Sequence, residues 1–165
     1  MKAYIYSFLI ISLIACKKEE YPFNLPKNAK EILAGKSGKT WKIAWRYNDG
    51  VRMNMTGCFL TYKIKYFPEG VMEDNNGEQE NCGPSLKGNW EIITNNNKKS
   101  YIKWTSDSLQ EIMNTRKNRK YFKILQLEKD TLKLQYRHKQ FSSESTFIDT
   151  FVPEHMNVKD RNYHW

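Results

Sequence analysis

Trp41-Lys42-Ile43-Ala44-Trp45-Arg46-Tyr47 is the stretch that decides the fold class. In an extended chain Trp41, Ile43, Trp45 and Tyr47 fall on one face and Lys42, Ala44 and Arg46 on the other, the period of two that marks a strand wet on one side. The pattern returns downstream. Cys58, Leu60, Tyr62, Ile64 and Tyr66 alternate with Thr61, Lys63 and Lys65, and Leu132, Leu134 and Tyr136 alternate with Lys133, Gln135 and Arg137. Turn chemistry joins these segments: Phe67-Pro68-Glu69-Gly70 offers proline where φ must lie near −65° and glycine where φ must be positive. Asn95-Asn96-Asn97, residues 114 to 118 and Lys129-Asp130 are further hairpin candidates, and Arg116-Lys117-Asn118-Arg119-Lys120 puts four cations in five residues at such a tip. Strands are expected over 40–47, 57–66, 71–75, 88–93, 100–105, 120–128, 131–138 and 145–152, with 107–114 a ninth strand or a short helix. Short sequential strands with tight connections predict an all-β protein, a small antiparallel up-and-down barrel of about eight strands whose closure removes exposed edges.

Ahead of this region, Lys2 precedes an apolar run from Ile5 to Ala15 broken only by Tyr6, Ser7 and Ser12. One cation followed by roughly ten apolar residues is the layout of a secretory signal. A membrane-spanning helix would need about 20 apolar residues. Leu13-Ile14-Ala15-Cys16 resembles the bacterial lipobox, so residues 1–15 are expected to be removed and Cys16 to carry lipid, including palmitate-type acyl chains. Each buried CH₂ contributes about 0.8 kcal/mol, so several chains hold where one would not. Lys17-Lys18-Glu19-Glu20 resembles the lysine-plus-acidic tag of lipoproteins displayed on the outer face of the outer membrane in Bacteroidetes. Residues 16–30, with Pro22 and Pro26, read as a tether, 31–153 as the folded domain and 154–165 as a tail. The expected location is the cell envelope, at the outer membrane, with the membrane itself the first partner.

Of the 27 basic residues one is Lys2, which leaves 26 against 18 acidic and a charge of +8 after leader removal. Nucleic acid is the usual partner for such a balance. Export argues against it, and the cations are spread over many strands rather than gathered in a stripe. With Cys16 committed to lipid, Cys58 and Cys82 remain as a pair in an oxidising compartment, where a disulfide is expected. No cofactor or metal is implied. His138, His155 and His164 have no ligand spacing to the cysteines. In Glu73 to Glu80, aligning Gly77 with an EF-hand glycine puts Met72 and Gly83 where carboxylates are required, so that loop reads as solvated. No nucleophile elbow, zinc-protease motif or phosphate loop is present, and the chain is expected not to be an enzyme.

Lys39-Thr40-Trp41-Lys42-Ile43, Cys58, Phe67-Pro68-Glu69-Gly70, Cys82, Gly88-Asn89-Trp90, and Ile124-Leu125-Gln126-Leu127 leading into Asp130-Thr131-Leu132-Lys133-Leu134 together resemble the lipocalin-like domain of Bacteroidetes lipoproteins. The resemblance covers about residues 30–153 and implies a barrel with Trp41 closing one end. A barrel of this size is either filled by its own side chains or holds one small ligand.

Two functional readings follow. In the first, the barrel binds a small apolar or anionic envelope ligand, a lipid or glycan, through Trp45, Tyr62, Trp90, Trp104 and Tyr136 inside and Arg46, Arg137, Arg116 and Arg119 at the rim; aromatic walls with a few converging cations suit such a molecule. The alternative is a protein-interaction module, an inhibitor or an accessory subunit of an envelope complex, with the partner unspecified.

Overall fold

The computed structural model describes residues 23–140 and 143–162. The leader, Cys16, the Lys17-to-Glu20 cluster and His164 lie outside the described residues. The chain forms α1 (Ala29–Ala34), β1 (Lys39–Asn48), β2 (Val51–Arg52), α2 (Cys58–Thr61), β3 (Lys63–Tyr66), β4 (Val71–Asp74), β5 (Lys87–Thr94), β6 (Ser100–Thr105), α3 (Leu109–Ile112), β7 (Arg119–Leu127), β8 (Leu132–Gln140) and β9 (Ser143–Pro153). The strands pair antiparallel in the order β2-β1-β3-β4-β5-β6-β7-β8-β9, and β9 returns to β1. Eight strands therefore close an up-and-down barrel, with two-residue β2 folded back on the end of β1.

The turns work through the residues that mark them. Gly70, at φ 89°, lets its amide reach the Phe67 carbonyl at 3.0 Å while Phe67 N–H donates to Val71. Asn95 caps its own hairpin, its Oδ1 accepting from the amides of Asn97 and Lys99. Gly88 serves a different need: a Cβ there would lie 2.4 Å from the Thr105 carbonyl oxygen.

Two expectations are corrected. Residues 57–62 are not the start of a strand. Gly57 takes φ 50° and opens the single helical turn α2, whose Cys58 is tied by a disulfide to Cys82, so β3 begins only at Lys63. Of the two alternatives for 107–114 the short helix is the one present, as α3 over Leu109–Ile112. The face assignment along β1 also changes: Ile43 pairs with Phe151 but Trp45 with Thr150, so Ala44 is an extra residue. Such a bulge exchanges the faces beyond it. Trp41 and Ile43 point inward before the bulge, and Arg46 points inward after it.

One end of the barrel is closed. There α1 buries Leu33 and Ala34 against Trp41, which is fully buried and donates its indole N–H to the Leu33 carbonyl at 2.8 Å. Lys39 lies 3.9 Å from the Trp41 ring and donates to the carbonyls of Ile32 and Lys129, tying α1 to the β7–β8 turn. Phe23 and Leu25, within the stretch read as tether, pack on this core, which continues upward through Ile64, Tyr66, Met72, Trp90 and Ile102. Residues after β9 lie along β1: Glu154 N–H donates to Thr40, and Arg161 donates to the Ile43 carbonyl beside the bulge at 2.6 Å.

Candidate functional site

At the other end, where β1, β4, β6 and β8 finish, the barrel is not filled. A cavity of about 320 Å³ opens there. Its depth is apolar: Ile43, Phe122, Leu134 and Phe151 come from β1, β7, β8 and β9. The period of two then carries β7, β8 and β9 to a polar or aromatic residue nearer the mouth, Lys120 on β7, Tyr136 and His138 on β8, Phe147 and Asp149 on β9, and past the Ala44 bulge β1 brings in Arg46. Phe59 of α2, the Cys58–Cys82 disulfide, Asp74, and Ile112 and Met113 at α3 form the rim.

Aromatic rings run around the inside as one chain. Tyr66 meets Trp90 edge-on at 5.6 Å, Trp104 meets Phe122 at 4.1 Å, Phe122 meets Tyr136 at 5.2 Å, and Tyr136 stacks on Phe147 at 5.5 Å. Such contacts add about 0.5–1.5 kcal/mol each beyond burial and fix the rings that line the chamber.

The electrostatics centre on Arg46. Its Nε and Nη2 donate to the two oxygens of Asp149 at 2.6 Å each, and the Tyr136 hydroxyl donates to Asp149 at 3.2 Å. Despite its burial, the fork with Asp149 holds the guanidinium firmly protonated. Burial first, then the Asp149 charge, pushes the Tyr136 phenol above its usual range. Lys120 stands opposite Trp104 and lies 4.8 Å from the Tyr136 ring centroid; burial, aided by Arg46, pulls its amine down to about 8. His138 is held below its usual range by burial and by the Lys120 and Arg46 charges.

The acidic loop at the rim folds on itself. Asp74 accepts from the amides of Asn76 and Leu86 at 3.1 Å each, and Asn75 bonds the Lys63 amide and the Thr61 carbonyl. Burial raises the Asp74 carboxyl above its ordinary range.

A solved lipocalin-like protein from Bacteroides uniformis is similar to this chain. The two share 12% identity over 72% of this chain and 97% of that one, with a TM-score of 0.44. No protein-family model and no curated protein matches the sequence.

Of the residues singled out from sequence, Arg46, Tyr62, Trp104 and Tyr136 line the cavity. Trp45 does not: the bulge at Ala44 turns it to the outer face opposite Thr150. Trp90 lies in the filled half, its indole N–H donating to the Phe67 carbonyl at 3.0 Å. Arg137 pairs with Glu144 where both side chains are exposed. Arg116 is exposed on the connection between α3 and β7, and Arg119 is exposed at the first residue of β7. Lys120, read as the end of that basic tip, points inside instead. Asp149, Phe147 and His138 were not singled out. The run Phe147-Ile148-Asp149-Thr150-Phe151 carried a signal for Asp149, since a lone acid shares the face of two phenylalanines and a buried carboxylate needs a cation.

Proposed function

We propose that this chain is a lipid-anchored, non-catalytic envelope protein whose barrel holds one small, partly apolar ligand bearing a polar or anionic group. The observation that carries the reading is the chamber of about 320 Å³, apolar in its depth and lined by polar and charged side chains near its mouth, in a barrel narrow enough for side chains to have filled it. Ligand sites are usually concave, mostly apolar, and fitted with a few converging polar groups, at volumes from about 300 Å³ upward. The chamber meets each condition, with Arg46, Lys120 and His138 as the polar groups.

Titration with the neutral probe N-phenyl-1-naphthylamine tests the binding. Fluorescence enhancement is expected for the wild type and not for Leu134→Trp, whose larger side chain would occupy the chamber floor. Equal enhancement in both, with unchanged circular dichroism, would place the probe elsewhere and contradict the reading. Anchoring rests on the leader and on Leu13-Ile14-Ala15-Cys16. Cell fractionation of Cys16→Ser should move the protein out of the membrane fraction. Native protein that is soluble and unacylated would overturn the anchor.

A further inference from the structure

Among the described residues, Lys120 lines the chamber without an ion pair of its own, although the Asp149 charge reaches it. Its side chain enters the chamber from the start of β7, lies 4.8 Å from the ring centroid of Tyr136 and 5.7 Å from that of Phe122, and among the described residues donates to no acceptor. The nearest candidate carboxylate, Asp149, is occupied by both prongs of Arg46 and by the Tyr136 hydroxyl. The other, Asp74, accepts from two backbone amides at the rim.

The geometry points to Lys120 as a site of reversible covalent capture, its ε-amine condensing with the carbonyl group of a small apolar aldehyde or ketone to form an imine. The inference rests on the ligand-chamber reading and adds to it the atom that holds the ligand. A lysine removed from water and placed beside another cation is a recognised form of activated amine nucleophile. Both conditions hold here, and they bring the amine down to about 8. At pH 7 about one Lys120 in ten is therefore the free base, against fewer than about one in a thousand for a solvated lysine. Trp104, Phe122, Leu134 and Phe147 supply an apolar wall for the rest of the carbonyl compound.

In the capture step the Nζ lone pair forms the C–N bond as the carbonyl π bond breaks and its oxygen takes a proton. The resulting carbinolamine loses that oxygen as water while C=N forms, so one water leaves per imine and no oxidant or reductant takes part. His138 lines the same chamber and is the group suited to carry the protons, because burial and the neighbouring cations keep its imidazole neutral. When protonated, the imine keeps a positive charge over the Tyr136 face, replacing one cation–π contact with another. The titratable groups facing the site are Arg46 on β1, Tyr62 before β3, Asp74 on β4, Tyr136 and His138 on β8 and Asp149 on β9.

The test is reductive trapping. The intact protein is incubated with benzaldehyde and sodium cyanoborohydride between pH 6 and 9, and adducts are mapped by peptide mass spectrometry. Lys120 is expected to be benzylated at least about ten-fold faster than exposed Lys98 and Lys99 near pH 7, with a rate that levels near pH 8. Lys120→Arg should give no adduct at that position and still bind N-phenyl-1-naphthylamine. Lys120 labelling no faster than Lys98, with the probe still bound, would overturn the imine and leave the chamber reading standing. Benzoate binding lost in Lys120→Met and kept in Lys120→Arg, without a Lys120 adduct, would make the lysine an anion's counter-ion and also overturn it. Loss of both labelling preference and probe binding in the wild type would remove the two readings together.

Discussion

Arg46 and Asp149 face each other across the seam that closes the barrel, joined by two parallel hydrogen bonds of 2.6 Å between β1 and β9. Both side chains are largely buried, at 13% and 3% exposure, so neither charge has water to fall back on. Breaking such a pair leaves one charge uncompensated and costs about 3–5 kcal/mol, whereas replacing both partners with apolar side chains is often near neutral. Asp149→Leu alone is therefore expected to lower the urea midpoint far more than Arg46→Met with Asp149→Leu. A double variant as unstable as the single would show that the fork is not what holds the seam.

The chamber also makes stability depend on pH in an alkaline window. Lys120 titrates at about 8 in the folded chain against an ordinary 10.5, so between these values the unfolded chain binds the extra proton and stability rises with pH. Lys39, lowered by burial, has the same sign. Tyr62, Tyr66 and Tyr136 have the opposite sign: burial raises them, so what they contribute is present below about pH 10 and lost above it. Urea midpoints should therefore climb from pH 7.5 to 9.5, by the equivalent of roughly 1–2 kcal/mol, and Lys120→Met should flatten the climb. An unchanged slope in that variant would mean that Lys120 is solvated.

Cys58 and Cys82, 24 residues apart in sequence with Cα atoms 5.4 Å apart, staple α2 to the loop before β5 at the mouth. Closing a loop of that size contributes about 3 kcal/mol. Replacing both cysteines with serine should lower stability by about 2–4 kcal/mol in urea titrations, and peptide maps without reductant should show the two peptides linked. Stability equal to the wild type would contradict the staple.

Gly88 tests the register of β5 against β6. Its missing Cβ would sit 2.4 Å from the Thr105 carbonyl oxygen and 2.8 Å from Ser106 Cβ, so Gly88→Ala must push two strands apart. A loss of about 1–3 kcal/mol is expected from calorimetry, in the range of overpacked positions. A neutral substitution would show that the strands do not approach so closely.

How much of this was legible in sequence follows from which rules are local. Alternation is local, so β1, β6, β7 and β8 could be read nearly residue by residue, and Phe67-Pro68-Glu69-Gly70 fixed its turn. A bulge is set by pairing with a distant strand. Nothing in Ile43-Ala44-Trp45 announces that β9 will skip a residue there, so Trp45 was read as facing in. The helical turn at Cys58 was hidden by alternation that continues through Leu60 and Tyr62, although Gly57 offered a break. Lys120 was taken with Arg116, Lys117 and Arg119 as one basic tip although a strand was expected from residue 120, because a cation at a strand's first position does not itself tell which face turns inward.

The native mass spectrum of the intact protein, released gently from its host membrane, tests the ligand chamber most directly. The account predicts a co-purifying small molecule whose mass signal is lost in Leu134→Trp while the fold is kept. A spectrum showing only the bare chain for the wild type, even after exposure to its host's lipid extract, would contradict it.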